Sequence, residues 1–174
     1  MAIIPCNGDH RSASPVRVLV VEDYEPFRRF VCSTLGTRPN LDVICEVSDG
    51  LEAVQKAKDL QPDLILLDIG LPALNGMEAA RQIRDLSPES KILFVSQESS
   101  TDVLQEAFRI GALGYVAKMD AGSELLTALK AISQGRRFVS AGLAGHVSAE
   151  LADKGSSHAS PPNEAPGSPP EAGD

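Results

Sequence analysis

The stretch DLILLDIGLPALNGMEAARQIR, residues 63–84, decides the fold of this chain. Its first part, residues 63–68, is a nearly continuous apolar run that ends in Asp68, which is typical of a strand buried on both faces of a sheet. After a turn, NGMEAARQIRDL at 75–86 starts with a favourable N-cap residue, Asn75, and continues with apolar residues on one helical face. A buried strand followed by an amphipathic helix predicts one unit of a parallel α/β sheet.

Similar units repeat on both sides of this stretch. Amphipathic stretches separate four further apolar runs, which are VRVLVV at 16–21, DVICEV at 42–47, KILFVS at 91–96 and LGYVAK at 113–118. Strict alternation of strands and helices implies right-handed crossovers between parallel strands. The fold prediction is therefore α/β, a doubly wound sheet of five parallel strands with five helices. The helix ends predicted from residue type are the N-caps Asp49, Asn75 and Ser123 and the C-terminal glycines Gly36, Gly111 and Gly135.

Composition limits the classes of function that are open to the chain. Its 174 residues suffice for one domain with a core, and aromatic residues make up only 4%, which indicates an aliphatic core. The formal net charge of -8 argues against direct binding to nucleic acid or to an anionic membrane. The three cysteines have no paired spacing, as expected for reduced thiols in the cytoplasm.

The ends of the chain differ in composition from its centre. Residues 1–15 lack apolar periodicity and are expected to be a flexible leader. We expect the domain to span 16–140, with a short helical extension at 141–151. Residues 152–174 are rich in Pro, Gly and Ser, have no apolar side chain larger than Ala, and are expected to be disordered.

Polar residues fall at the ends of four predicted strands. Glu22 and Asp23 follow the first strand, Asp68 ends the third, Ser96 the fourth and Lys118 the fifth. In an open α/β sheet these ends share one edge, where ligands bind. Clustered carboxylates call for a compensating cation, and carboxylate oxygens suit Mg²⁺. An Asp carboxylate is a known nucleophile toward phosphorus, and a lysine and a hydroxyl could stabilise the transferring group.

As a set, these residues resemble a response-regulator receiver domain of two-component signalling, over about residues 16–140. The stretch DIGLPALNGMEAARQIR at 68–84 is similar to the family's D-x-x-(L/M)-P-x-(L/M)-(D/N)-G, and GALGYVAK at 111–118 to its G-A-x-(G/D)-(Y/F)-x-x-K. The resemblance implies the flavodoxin-like strand order 2-1-3-4-5. Asp68 matches the phosphoacceptor, Lys118 the family's lysine and Ser96 its Ser/Thr switch residue.

The resemblance also implies a ligand set and partners. Mg²⁺ would be bound by Asp23, Asp68 and the backbone carbonyl of Gly70, with Glu22 acting directly or through water. Tyr115 would rotate between inward and outward positions as Ser96 engages the phosphoryl group, the alternative being an ordinary half-buried strand aromatic. The phosphodonor would be a sensor histidine kinase or a phosphotransfer protein, and a homodimer is left open. Autophosphorylation from a phosphodonor and slow self-dephosphorylation would serve regulation rather than metabolism.

Two features near Lys118 distinguish this sequence within the receiver family. Many receivers have Pro after the lysine, but Met119 stands there, so we expect a trans peptide bond. KMDAG at 118–122 resembles the LuxR/NarL-type subfamily, whose receivers usually precede a helix-turn-helix domain. We expect a stand-alone receiver, and the alternative is the receiver half of a truncated helix-turn-helix regulator.

Two enzyme classes are weaker alternatives. Phosphatases with an aspartyl nucleophile usually need a second Asp two residues further on, where this chain has Gly70. Neither G-x-x-x-x-G-K-[ST] nor G-x-G-x-x-G occurs, which disfavours a nucleotide-binding enzyme.

Overall fold

The computed structural model describes residues 14–147. The predicted leader, apart from residues 14 and 15, and the predicted disordered tail, 152–174, lie outside the described residues, as do residues 148–151 of the predicted extension.

The described residues form a six-stranded, wholly parallel sheet with helices on both faces. In chain order the elements are β1 (Val16–Val21), α1 (Glu25–Gly36), β2 (Leu41–Val47), α2 (Gly50–Leu60), β3 (Leu64–Leu67), α3 (Gly76–Leu86), β4 (Lys91–Ser96), α4 (Thr101–Ile110), β5 (Gly114–Ala117), a 3₁₀ turn (Lys118–Asp120), α5 (Ala121–Ser133), β6 (Phe138–Val139) and α6 (Ala141–Val147). The strand order is β2-β1-β3-β4-β5-β6. The predicted α/β class and the order 2-1-3-4-5 are thus confirmed, with a sixth strand added beyond β5.

The sheet separates two apolar layers. All four residues of β3 are buried, as its continuous apolar run predicts. Helices α2, α3 and α4 cover one face with small and aliphatic side chains, among them Ala53, Ala57, Ala79, Ile83, Leu104 and Ala107. Helices α1 and α5 cover the other face, with Val31, Leu35, Leu125, Leu129 and Ile132. The aromatic-poor composition therefore produces a mainly aliphatic core, to which Phe94 and Tyr115 contribute fully buried aromatic rings.

Several predicted helix ends are confirmed. The side-chain oxygens of Asp49 and Asn75 each accept a hydrogen bond from the backbone N–H three residues later. Gly111 and Gly135 have φ angles of 107° and 75°, in the left-handed region that glycine tolerates.

Two predicted helix ends are wrong. Gly36 lies inside α1, which ends on a right-handed Thr37, so no left-handed residue is needed there. Ser123 lies within α5, because the 3₁₀ turn leads directly into the helix at Ala121. Its hydroxyl donates to the carbonyl of Asp120 instead of capping the helix.

The loop between β3 and α3 folds back onto Asp68. The N–H of Gly76 donates to the carbonyl of Ile69 at 2.8 Å. A Cβ atom on Gly76 would lie only 1.9 Å from the backbone oxygen of Asp68. Glycine is therefore required where α3 begins. The close packing of Gly76 against the Asp68 backbone helps to fix the position of Asp68.

The C-terminal segment, defined here as β6 and α6 (138–147), extends the sheet. Ser140 is fully buried, its N–H donates to the carbonyl of Tyr115, and its hydroxyl accepts from the N–H of Ala117, both at 3.0 Å. Leu143 joins the apolar layer under α4. The edge of β5 is thus covered by this segment.

The helices between residues 14 and 147 include none with the length and apolar composition that crossing a membrane requires.

Candidate functional site

The site lies at the carboxyl edge of the sheet, where the ends of β1, β3 and β5 carry charged residues. One carboxylate oxygen from each of Glu22, Asp23 and Asp68 lies within 4.8 Å of the others. Glu22 and Asp68 are buried, whereas Asp23 is exposed. Lys118 follows β5 and brings an ammonium group to the same place. The structure therefore gathers four residues that the sequence pattern places at the ends of three different strands.

Lys118 forms ion pairs with both buried carboxylates. Its Nζ lies 2.7 Å from Oε2 of Glu22 and 2.9 Å from Oδ2 of Asp68, and its side chain is 12% exposed. Burial alone would lower the pKa of Lys118, but the hydrogen bonds to the two carboxylates and their negative charges together raise this pKa above its usual value. The ammonium is therefore charged at neutral pH.

The carboxylate of Asp68 is held on both oxygens. Oδ1 accepts hydrogen bonds from the backbone N–H groups of Ile69 at 2.7 Å and Gly70 at 3.4 Å. Oδ2 accepts from Lys118. Because each oxygen has a partner in a different direction, the plane of the carboxylate is fixed before any ligand arrives.

Glu22 is fixed by the β1–α1 loop. Its Oε1 accepts from the N–H of Tyr24 at 3.0 Å, and its carbonyl accepts from Arg28 Nη1 at 2.8 Å. Burial raises the pKa of Glu22, against the opposing effect of the hydrogen bonds from Lys118 and Tyr24. The sequence pattern does not reveal Arg28 as a site residue, because only the path of the β1–α1 loop brings this helical side chain back to the Glu22 carbonyl.

The donor set fits a hard divalent cation. Three carboxylates face one ammonium, so negative charge is in excess at the site. Oxygen ligands with room for water are what Mg²⁺ prefers. The backbone of Gly70 borders Asp68, and the role of its carbonyl as a metal ligand stays a prediction.

Ser96 and Tyr115 lie beside this cluster on β4 and β5. The hydroxyl of Ser96 accepts from the N–H of Glu98 at 3.2 Å, and the Tyr115 hydroxyl donates to the Glu98 carbonyl at 2.7 Å. Tyr115 is fully buried, so its ring faces inward. The peptide bond between Lys118 and Met119 is trans, as expected, since no cis bond occurs among the described residues. The switching roles of Ser96 and Tyr115 stay predictions.

The fold and the site define a flavodoxin-like α/β domain with an acidic cluster and a lysine at its carboxyl edge. Residues 18–130 match the model of the response regulator receiver domain, and the chain belongs to that family. The predicted resemblance to receivers of the LuxR/NarL type is confirmed by the relatives of the chain.

The transcriptional regulatory protein LiaR of Bacillus subtilis is 34% identical over 140 residues, or 80% of this chain. The DNA-binding transcriptional activator DevR/DosR of Mycobacterium tuberculosis is 33% identical over 136 residues, or 78% of this chain. A LuxR-family two-component response regulator from Aurantimonas sp. SI85-9A1, known from its crystal structure, is 32% identical with a TM-score of 0.75, covering 80% of this chain and 99% of that one. The chain spans 66% of the length of LiaR and 63% of DevR/DosR.

Proposed function

We propose that this chain is the phosphoacceptor switch of a two-component phosphorelay. Asp68 would receive a phosphoryl group from a histidine of a sensor kinase or of a phosphotransfer protein. The observation that supports this most directly is the Asp68 carboxylate, held between Lys118 and two backbone amides beside Glu22 and Asp23. Membership of the receiver family supports the same interpretation.

The transfer is a single displacement at phosphorus. An oxygen of Asp68 forms the new P–O bond while the P–N bond to the donor imidazole breaks, and the imidazole keeps the electron pair. Lys118 already lies 2.9 Å from Asp68, so its ammonium can pair with a phosphoryl oxygen after only a small movement. Asp23, Asp68 and the Gly70 carbonyl, with Glu22 acting directly or through water, would hold Mg²⁺, whose positive charge would offset the charge on the phosphoryl oxygens. Hydrolysis by water returns the free aspartate and inorganic phosphate.

Phosphorylation would be relayed by Ser96 and Tyr115. The Ser96 hydroxyl, whose oxygen accepts from the N–H of Glu98, would donate its proton to a phosphoryl oxygen, and this would compete with its contact to the Tyr115 hydroxyl. Tyr115 also donates to the Glu98 carbonyl, in the loop between β4 and α4. A movement of that loop would therefore remove the hydrogen bond that holds the ring inward. The alternative is that Tyr115 is an ordinary core aromatic that does not move.

The experiment compares wild type with Asp68→Asn in the presence of Mg²⁺ and phosphoramidate, a small phosphodonor. Intact mass should show one added phosphoryl group on wild type and none on the variant, while circular dichroism shows that both are folded. Asn has the shape of Asp and can still accept from the two backbone amides, so the fold should survive. Phosphorylation of the Asn variant would place the acceptor elsewhere.

Two candidates exist for the molecule or region that responds to the phosphorylated domain. A protein partner, or a homodimer, could bind the altered face of the domain. The second candidate is a helix-turn-helix region in the same protein, and it is favoured by relatives whose names describe transcriptional regulators and of which this chain spans two thirds or less. Intact mass of the protein isolated from its own cells separates the two, because a longer chain would support the second.

An aspartyl phosphatase is disfavoured by the residues around the carboxylate. The position two residues after Asp68, where such an enzyme needs an acid/base, is Gly70, which offers only backbone groups. A receiver therefore fits this site better than a hydrolase does.

A further inference from the structure

Three groups lie close to the Lys118 ammonium, and only two of them are carboxylates. Glu22 and Asp68 accept its hydrogen bonds. The third neighbour is the ring of Phe27, whose centroid lies 4.9 Å from Nζ. A cation within about 6 Å of an aromatic ring is attracted by the negative face of the ring, and the attraction grows as water is excluded.

We propose that Phe27 is a positioning residue that holds the Lys118 ammonium in place for phosphoryl transfer. The inference rests on the proposed function of Asp68. Lysine has a flexible stem with four rotatable bonds, so its ammonium tends to swing toward water. The Phe27 ring occupies a direction from which water would otherwise compete, and it leaves the ammonium free to exchange a carboxylate for a phosphoryl oxygen.

The ring is itself well held. Phe27 lies in the first turn of α1, just after Pro26, which suits this position in a helix. It packs against the apolar layer under α1 and α5, and its ring contacts that of Phe30 at a centroid distance of 5.7 Å. A half-buried ring with these neighbours has little freedom, so it can serve as a fixed wall for the ammonium.

The position of Phe27 suits this role better than a purely structural one. The Lys118 side chain is only 12% exposed, and the Phe27 ring is an uncharged neighbour whose face lies within cation–π distance of the ammonium. Phe30, one turn further along α1, is partly exposed and provides a ring that contacts Phe27. The two phenylalanines therefore allow a matched pair of substitutions on one helix.

The test compares Phe27→Leu, Phe27→Tyr and Phe30→Leu in the full chain. We expect Phe27→Leu to slow phosphorylation of Asp68 by phosphoramidate, and to weaken equilibrium binding of beryllofluoride measured by ¹⁹F NMR, each by about five-fold, or about 1 kcal/mol. Phe27→Tyr keeps an aromatic face and should restore both values to within about two-fold of wild type. Phe30→Leu removes only a ring that contacts Phe27 and keeps the aromatic neighbour of Lys118, so it should lose clearly less than Phe27→Leu in both measurements.

A double-mutant cycle adds a measurement that does not depend on phosphorylation. Urea unfolding of wild type, Phe27→Leu, Lys118→Met and the double variant should show a coupling of about five-fold in the unfolding equilibrium constant. The inference is overturned if Phe27→Leu phosphorylates and binds beryllofluoride like wild type, if Phe30→Leu loses as much, or if the coupling is zero. Wild type that phosphoramidate cannot phosphorylate on Asp68 would instead refute the proposed function, and the cycle would still report on the contact.

Discussion

Tyr115 places a hydroxyl group inside the apolar core of β5. Its ring is fully buried, yet the hydroxyl donates to the Glu98 carbonyl at 2.7 Å, so the polar atom is satisfied. Burial raises the pKa of Tyr115 to about 12, despite the opposing hydrogen bond with Ser96, and the charges of Glu98 and Asp68 add to the rise. The neutral form is thus strongly favoured in the folded protein.

This pKa predicts a loss of stability at high pH. Tyrosine in the unfolded chain ionises near pH 10, so between about pH 10 and pH 12 the folded state binds more protons and stability falls as the pH rises. Below pH 10 the contribution is fully present. At about 1.4 kcal/mol per pKa unit, the rise from about 10 to about 12 corresponds to a loss on the order of 3 kcal/mol.

Urea unfolding at a series of pH values above 9 measures this effect. Tyr115→Phe removes the titrating group, so its stability should fall less steeply with pH than that of wild type. Equal slopes in the two proteins would mean that the Tyr115 hydroxyl ionises as easily in the folded state as in the unfolded one.

Individual site residues were predictable from sequence only where the strand pattern located them. Asp68 and Lys118 end apolar runs, and this position brought them to one edge of the sheet. Arg28 and Phe27 were not found, because both reach the site from α1, and their contacts depend on how the β1–α1 loop turns. Strand periodicity carries no information about such a loop.

At the scale of secondary structure, the β3–α3 connection sets the geometry of the acceptor. Gly76 starts α3 against the backbone of Asp68, and a Cβ atom there would lie 1.9 Å from the Asp68 carbonyl oxygen. The neighbour is backbone and not a flexible side chain, so it cannot give way without moving the acceptor.

We therefore predict that Gly76→Ala destabilises the domain by about 2 kcal/mol or more and slows phosphorylation of Asp68. Gly36→Ala is the control, because Gly36 is an exposed helical glycine whose added Cβ would meet no described atom within 4 Å apart from its chain neighbours and the backbone of its own helix. This control should be neutral or stabilising by up to about 1 kcal/mol. Urea unfolding measures both, and a Gly76→Ala protein as stable as wild type would contradict the prediction.

Elements were predictable in proportion to the length of their patterns. Five strands with long apolar runs were located to within a residue or two, since burial on both faces leaves a continuous signal. The two-residue strand β6 has no periodicity to detect. It is held by Ser140 and by Leu143, and neither contact is visible before β5 is in place.

At the scale of the whole molecule, the fold concentrates negative charge where two of the three carboxylates are buried. The chain carries a formal charge of -8, and Glu22, Asp23 and Asp68 have only the Lys118 ammonium within ion-pair distance among the described residues. Mutual repulsion of these groups opposes folding, so a cation that binds only the folded arrangement should stabilise the whole domain.

This linkage predicts that Mg²⁺ raises the free energy of unfolding. At a concentration of about 100 times the dissociation constant, the gain is about 2.7 kcal/mol. Asp23→Asn should lose most of this gain, because it removes a predicted ligand. Without divalent cations it should be as stable as wild type or more so, because it also removes repulsion between carboxylates.

Asp42→Asn serves as the control, since Asp42 is an exposed carboxylate that pairs in register with Arg17 near the opposite edge of the sheet. Urea unfolding with Mg²⁺ and with a chelator tests all three proteins, and an equal gain in both variants would show that the cation binds away from the acidic cluster.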